Sequence, residues 1–165
     1  MSPEAIAASA SAVIALCALL LTASQASKMR EHNRISVRPH LTTWNSKDFE
    51  KGSYGVYLLN NGIGPALIKK FEIRVDNKVV SGEGTEPIEK ALKIVLPNQP
   101  YKSQNAYLAA GFALGAKENI CISLVQFLDG FSMGKEEVEH AAKRTDLIIE
   151  YESFYGEKYA LDTRD

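Results

Sequence analysis

The chain has 165 residues, 45% hydrophobic and 24% charged, with 19 Lys+Arg against 20 Asp+Glu. That length fits one ordinary domain with an appendage and argues against a second full core. A net charge of −1 excludes a dedicated nucleic-acid binder, two cysteines exclude a disulfide-dense scaffold, and abundant apolar strand formers exclude a disordered chain.

Residues Ala5 to Ser27 carry no charge. As a helix they would extend about 34 Å, enough to cross a hydrocarbon core of roughly 30 Å. A cleaved signal peptide is the competing reading, with Ser24-Gln25-Ala26 as the cleavage site. Such a leader opens with positive charge, whereas Met-Ser-Pro-Glu has none and the cations follow the apolar run at Lys28, Arg30, Arg34 and Arg38. The positive-inside rule therefore predicts an uncleaved single-pass anchor over residues 1–27 at the inner (plasma) membrane. The N-terminus would lie outside. A basic juxtamembrane linker (28–34) and a β domain (35–165) would lie in the cytoplasm.

Small residues recur every four positions in Ala7-Ser11-Ala15. Such a stripe lets helices approach closely, which predicts a protein partner or a second copy packed in the membrane. The plain alternative is that alanine is common in spanning helices. Cys17 in the apolar run and Cys121 in a later strand pattern read as unbridged small hydrophobes of a reducing compartment.

From Arg34 the period becomes two. Ile35, Val37 and Leu41 alternate with polar residues and predict a strand that Pro39 makes either an edge strand or a bulged one, with Trp44 as a core anchor. Tyr54 to Leu59 reads as a central strand closed by Asn60-Asn61-Gly62. Ala66 to Val75 alternates most cleanly, and Asp76-Asn77 then predicts a hairpin into Val79-Val80. Thr85 is expected to cap a helix carrying Ile88, Ala91, Leu92 and Val95, ended by Pro97. Ala106 to Ala116 reads as a loop with a strand or short helix, either packed in the core or presented as a contact surface. Ile120 to Leu128 predicts a buried strand, Lys135 to Lys143 a second short helix, and Leu147–Tyr151 with Lys158–Leu161 a final strand pair. These elements favour an immunoglobulin-like antiparallel β-sandwich, with a single-sheet α+β fold as the alternative.

Arg30-Glu31-His32-Asn33-Arg34-Ile35-Ser36-Val37-Arg38-Pro39-His40-Leu41, directly after the apolar segment, resembles a group of uncharacterised bacterial single-span membrane proteins. Leu59-Asn60-Asn61-Gly62-Ile63-Gly64-Pro65-Ala66 is similar to the strand-turn-strand signature of adhesion-type immunoglobulin-like modules. Tyr151-Glu152-Ser153-Phe154-Tyr155-Gly156-Glu157-Lys158 completes the pattern. The resemblance implies a membrane-tethered β-sandwich and no reaction.

The residues themselves carry no catalytic motif. Glu136 and His140 lie one helical turn apart, but no second ligand pair stands at metal spacing, and a solvated acidic face is the better reading. Cys121 between Ile120 and Ile122 reads as a buried thiol rather than a nucleophile. Gly62-x-Gly64 lacks the third glycine and following helix of a dinucleotide loop, so its glycines are assigned to a turn. Asp48 and Glu50 are carboxylates that nothing in the sequence places in a cleft. No cofactor and no metal are expected.

Charge is more informative. Residues 28 to 51 carry six Lys/Arg and three Asp/Glu, whereas residues 129 to 165 carry five and ten. A basic base facing anionic membrane lipid and an acidic far end offered to a partner predict a non-enzymatic interaction module that positions a protein at the membrane. The rivals are an accessory subunit of a larger membrane assembly, such as a transporter or defence complex, and a periplasmic binding domain. A hydrolase or ligand sensor would require a polar pocket around Ala106–Ala116.

Overall fold

A computed structural model describes residues 2–48, 52–128 and 135–164. The chain divides into two compact units, Met1–Ser36 and Val37–Asp165.

The first unit is one helix, α1 (Pro3–Ile35). Ser2 caps it, its Oγ accepting the Ala5 N–H at 3.3 Å, and Pro3 occupies the first turn, where its missing donor costs nothing. Glu4 at the start and His32 and Arg34 at the end complement the helix dipole. Inside the apolar run the hydroxyls of Ser9, Ser11 and Thr22 donate to the carbonyls of Ile6, Ala7 and Ala18. No residue of α1 is buried, and the helix is long and apolar enough to cross a membrane.

The helix also corrects the first expected strand. It continues unbroken through Lys28–Arg34 to Ile35, and Ser36 still donates its N–H to the His32 carbonyl at 2.9 Å. The alternation of Arg34–Leu41 is therefore not a strand. Pro39, which lacks an amide donor and disfavours helix in the residue before it, separates the helix from the sheet.

The second unit begins β1 (Leu41–Asp48), β2 (Ser53–Asn60), β3 (Ala66–Val75), β4 (Lys78–Val79), α2 (Glu86–Val95) and β5 (Tyr101–Asn105). It continues with β6 (Ala113–Leu114), β7 (Asn119–Phe127), α3 (Lys135–Lys143), β8 (Thr145–Glu152) and β9 (Lys158–Asp162). One sheet runs β1-β2-β7-β5; the other runs β4-β3-β8-β9, with β6 also paired to β3. Every pairing is antiparallel. The unit is thus mainly β, as expected, with the central β2, the clean β3, both short helices and the final β8–β9 pair where the sequence puts them.

The two sheets share one core. Leu41, Leu58 and Ile122 of the first meet Ile68, Ile73, Ile149 and Tyr151 of the second, and α2 adds Ile88 and Ala91. A smaller cluster of Leu96, Val125 and Val138 joins the end of α2 to β7 and α3. Leu108 and Leu114 are buried, so the Ala106–Ala116 stretch is anchored in this core, with Tyr107 left outside.

Trp44 is not a core anchor. Leu41, Thr43 and Asn45 share one face of β1, with Leu41 in the core and Thr43 and Asn45 lining a cavity between the sheets. Trp44 takes the other face and is 43% exposed. It stacks on its cross-strand partner Tyr57, with ring centroids 4.4 Å apart. Cys121, paired with Tyr57 in register, is half-buried rather than sealed, and its thiol raises the Tyr57 hydroxyl above the ordinary phenol range.

Asp76 and Asn77 both adopt positive φ, at 51° and 65°, as a two-residue hairpin turn between β3 and β4 requires. Arg144 clamps this turn with two bonds to the Asp76 carboxylate, 2.9 and 2.6 Å, which hold Asp76 below the usual carboxylate range. Thr85 is the N-cap of α2, as expected, but through its backbone carbonyl, which accepts the N–H groups of Ile88 (3.0 Å) and Glu89 (3.2 Å); its hydroxyl accepts no backbone N–H and instead donates to Glu89 Oε1 at 2.9 Å.

On β3, Glu72 sits between Lys70 (2.8 Å) and Arg74 (2.7 Å). The Lys70 bond first, and Arg74 with it, depress its carboxyl pKa. A depressed carboxylate contributes stability that is present above the unfolded value and is lost as pH falls through the folded one. Denaturant titrations of Glu72→Gln against the parent should therefore differ at pH 7 and converge as pH drops below about 4.3.

Candidate functional site

The residues singled out in the sequence fall into separate places. Ala7, Ser11 and Ala15 lie on one face of α1, all exposed, with the Ser11 hydroxyl satisfied by the Ala7 carbonyl at 2.9 Å. Lys28, Arg30 and Arg34 occupy the last turns of the same helix. Arg38 belongs to the β unit, where its guanidinium lies 5.4 Å from the centre of the Tyr159 ring.

The acidic C-terminal third does not form one bare surface. Lys70 lies 3.8 Å from Glu150, Lys69 pairs with Glu152, and Lys47 lies 3.6 Å from Glu139. Arg164 beside Asp162 holds that carboxyl down to about 2. Residues 129–134 and 165 of this third, and Glu50, lie outside the described residues. Among the described residues no group of three or more His, Cys, Asp and Glu side chains gathers to hold a metal, and His140 is exposed on α3.

The Asn60–Pro65 turn serves the backbone. Asn60 is 0% exposed. Its Oδ1 accepts the N–H groups of His40 (3.1 Å) and Gly62 (3.0 Å). Its Nδ2 donates to the carbonyls of Gly64 (2.8 Å), Leu114 (3.1 Å) and Gly115 (3.1 Å). Gly62 and Gly64 let Val37–His40 pass directly over the turn: a Cβ on Gly64 would fall on the Val37 backbone, and one on Gly62 would come within 2.5 Å of Arg38 O and His40 N. The motif that invites a phosphate-loop reading is the seat on which the first residues of the β unit are fastened.

A feature the sequence did not reveal is a cavity of about 220 Å³ between the two sheets, bounded by α2 and α3. Its walls are Ile73, Ile88, Leu92, Ile122 and Val125, while Thr43 and Asn45 bring a hydroxyl and a carboxamide to it. No residue of Ala106–Ala116 lines it. Its residues come from seven elements, and no motif in the chain marks them.

The sequence matches no protein-family model and no curated protein.

Proposed function

We propose that the chain is a single-pass plasma-membrane protein whose immunoglobulin-like domain holds a partner protein at the cytoplasmic face without catalysing a reaction. The observation that carries this reading is α1: 33 residues with none buried, joined to a domain that has its own core. An apolar helix of this length finds its missing contacts in lipid. Its cations cluster at one end, at Lys28, Arg30 and Arg34, and favour retention of that end in the cytoplasm next to anionic lipid. The resemblance to bacterial single-span proteins supports the same arrangement.

A second reading, an accessory subunit of a larger membrane assembly, places the main contact on the helix itself. The Ala7–Ser11–Ala15 face favours it, because the Ser11 hydroxyl is already bonded within α1 and the strip is left small and flat. Replacing α1 by an unrelated spanning helix separates the two. Retained partner capture supports the domain as the contact; loss supports the helix.

Membrane residence has a direct test. Leu16 lies at the middle of the uncharged run, and an arginine at a helix centre costs about 3 kcal/mol of insertion. Leu16→Arg with Leu20→Arg should move the chain out of the carbonate-washed membrane fraction. A reporter fused to the C-terminus should be active only in the cytoplasm. Mature chain beginning near Ser27, or digestion of the domain by protease added outside intact cells, would instead make it a periplasmic binding domain.

A further inference from the structure

We propose that the cavity between the two sheets is a binding site for a short alkyl chain, about six carbons long, bearing an uncharged polar head. The walls are mostly hydrocarbon, with the polar side chains of Tyr54, Ser123, Thr145 and Asp146 among them, and both sheets and both helices contribute, so the site is preformed by the core rather than assembled from loops. At about 30 Å³ per water-sized group, 220 Å³ accommodates roughly seven non-hydrogen atoms.

The void is kept open by small residues where the helices face it. Ala91 on α2 and Ala141 and Ala142 on α3 all line it. Ile88 and Val138 on the neighbouring turns line it too, and side chains of their size at the three alanines would fill it.

The head is assigned from the polar side. Thr43 is half-buried and Asn45 is exposed, so the carboxamide stands where the cavity meets solvent and offers both a donor and an acceptor. The nearest cation along β1, Lys47, lies 3.6 Å from Glu139 of α3, so its charge is already countered. Asp146 is the lining residue that carries a charge at neutral pH, and it disfavours a carboxylate ligand. A hydroxyl or amide head fits these partners; a fatty-acid head does not.

The test uses the full chain in lipid discs with labelled Ile, Leu and Val methyl groups, titrated with 1-hexanol and with hexanoate at pH 7. Hexanol should give saturable shifts at the methyls of Ile73, Ile88 and Ile122 while those of Leu58 and Ile68, which do not line the cavity, stay still. Hexanoate should bind at least tenfold more weakly. Ala142→Leu, which fills the cavity from a partly buried position, should weaken hexanol at least tenfold with the Ile68 signal unchanged. Val138→Ala, which enlarges it, should shift the preference to 1-octanol. Absence of saturable shifts, equal binding to the Ala142→Leu chain, an unchanged length preference in Val138→Ala, or hexanoate binding as tightly as hexanol would overturn the proposal.

Discussion

Asn60→Asp is expected to destabilise the β unit by on the order of 4 kcal/mol at neutral pH, with a cost that shrinks in acid. The wild-type carboxamide has both chemistries its position demands. Its oxygen faces two amide donors and its nitrogen faces three carbonyl oxygens, all within 3.1 Å. Aspartate keeps the acceptor and replaces the donor with a negative oxygen aimed at those carbonyls. A buried group that loses its partners costs about 1–3 kcal/mol, and an uncompensated buried charge costs more. Repulsion and burial would raise the new carboxyl above its unfolded value near 3.9. A raised carboxyl pKa means that the variant is least impaired below the unfolded value and loses stability as pH rises toward the folded one. Urea unfolding at pH 4 and pH 7 checks both claims. A gap from the parent that does not widen between those pH values would remove the charge argument, and a loss below 1 kcal/mol would remove the network.

Gly64→Ala should cost about 3 kcal/mol, at the upper end for an overpacked site. The added methyl would coincide with backbone atoms of Val37, which cannot rotate aside as a flexible side chain does. Either the turn or the Val37–His40 segment must shift, and the bonds from Asn61 and Ile63 to the His40 and Arg38 carbonyls shift with it. Gly84 supplies the control. It has positive φ (59°) but open space where a Cβ would go, so Gly84→Ala should lose only about 1 kcal/mol. Limited proteolysis should show the difference, with cleavage near residues 37–40 accelerated in Gly64→Ala and unchanged in Gly84→Ala. Because Asn60 and Gly64 share a hydrogen bond, the two costs should combine to less than their sum.

Much of the β unit was legible because its signals are local. The alternation of Phe71, Ile73 and Val75, the Asp76-Asn77 turn and the Ile88–Val95 stripe each need only neighbouring residues to be read. Errors arose where local pattern was ambiguous or where partners are distant. Arg34–Leu41 alternates like a strand, yet the preceding helix propagates through it as far as Ile35, because each added turn costs little once a helix is nucleated. Trp44 is expected in the core from the sequence, whereas the strand's parity decides its side: one residue of offset exchanges the two faces. Polar β5, Tyr-Lys-Ser-Gln-Asn, has no apolar alternation to detect and is a strand because β7 pairs with it. The sites behave likewise. The anchor is visible as an uninterrupted run, while the five-bond setting of Asn60 depends on segments up to 55 residues apart and the cavity on segments further apart still, from Thr43 to Thr163.

The bonding around Gly62 also bears on how the molecule ages. Asn-Gly pairs are the sequences most prone to spontaneous deamidation, in which the glycine nitrogen attacks the preceding side-chain carbonyl to close a succinimide. Here the Gly62 N–H is committed to Asn60, and the Asn61 carboxamide is moored to the Thr42 hydroxyl at 2.7 Å. Both reactants are thereby held out of the ring-closing arrangement while the turn is intact. Isoaspartate accumulating at position 61 would accordingly serve as a chemical clock, recording the time a given molecule has spent with this corner undone.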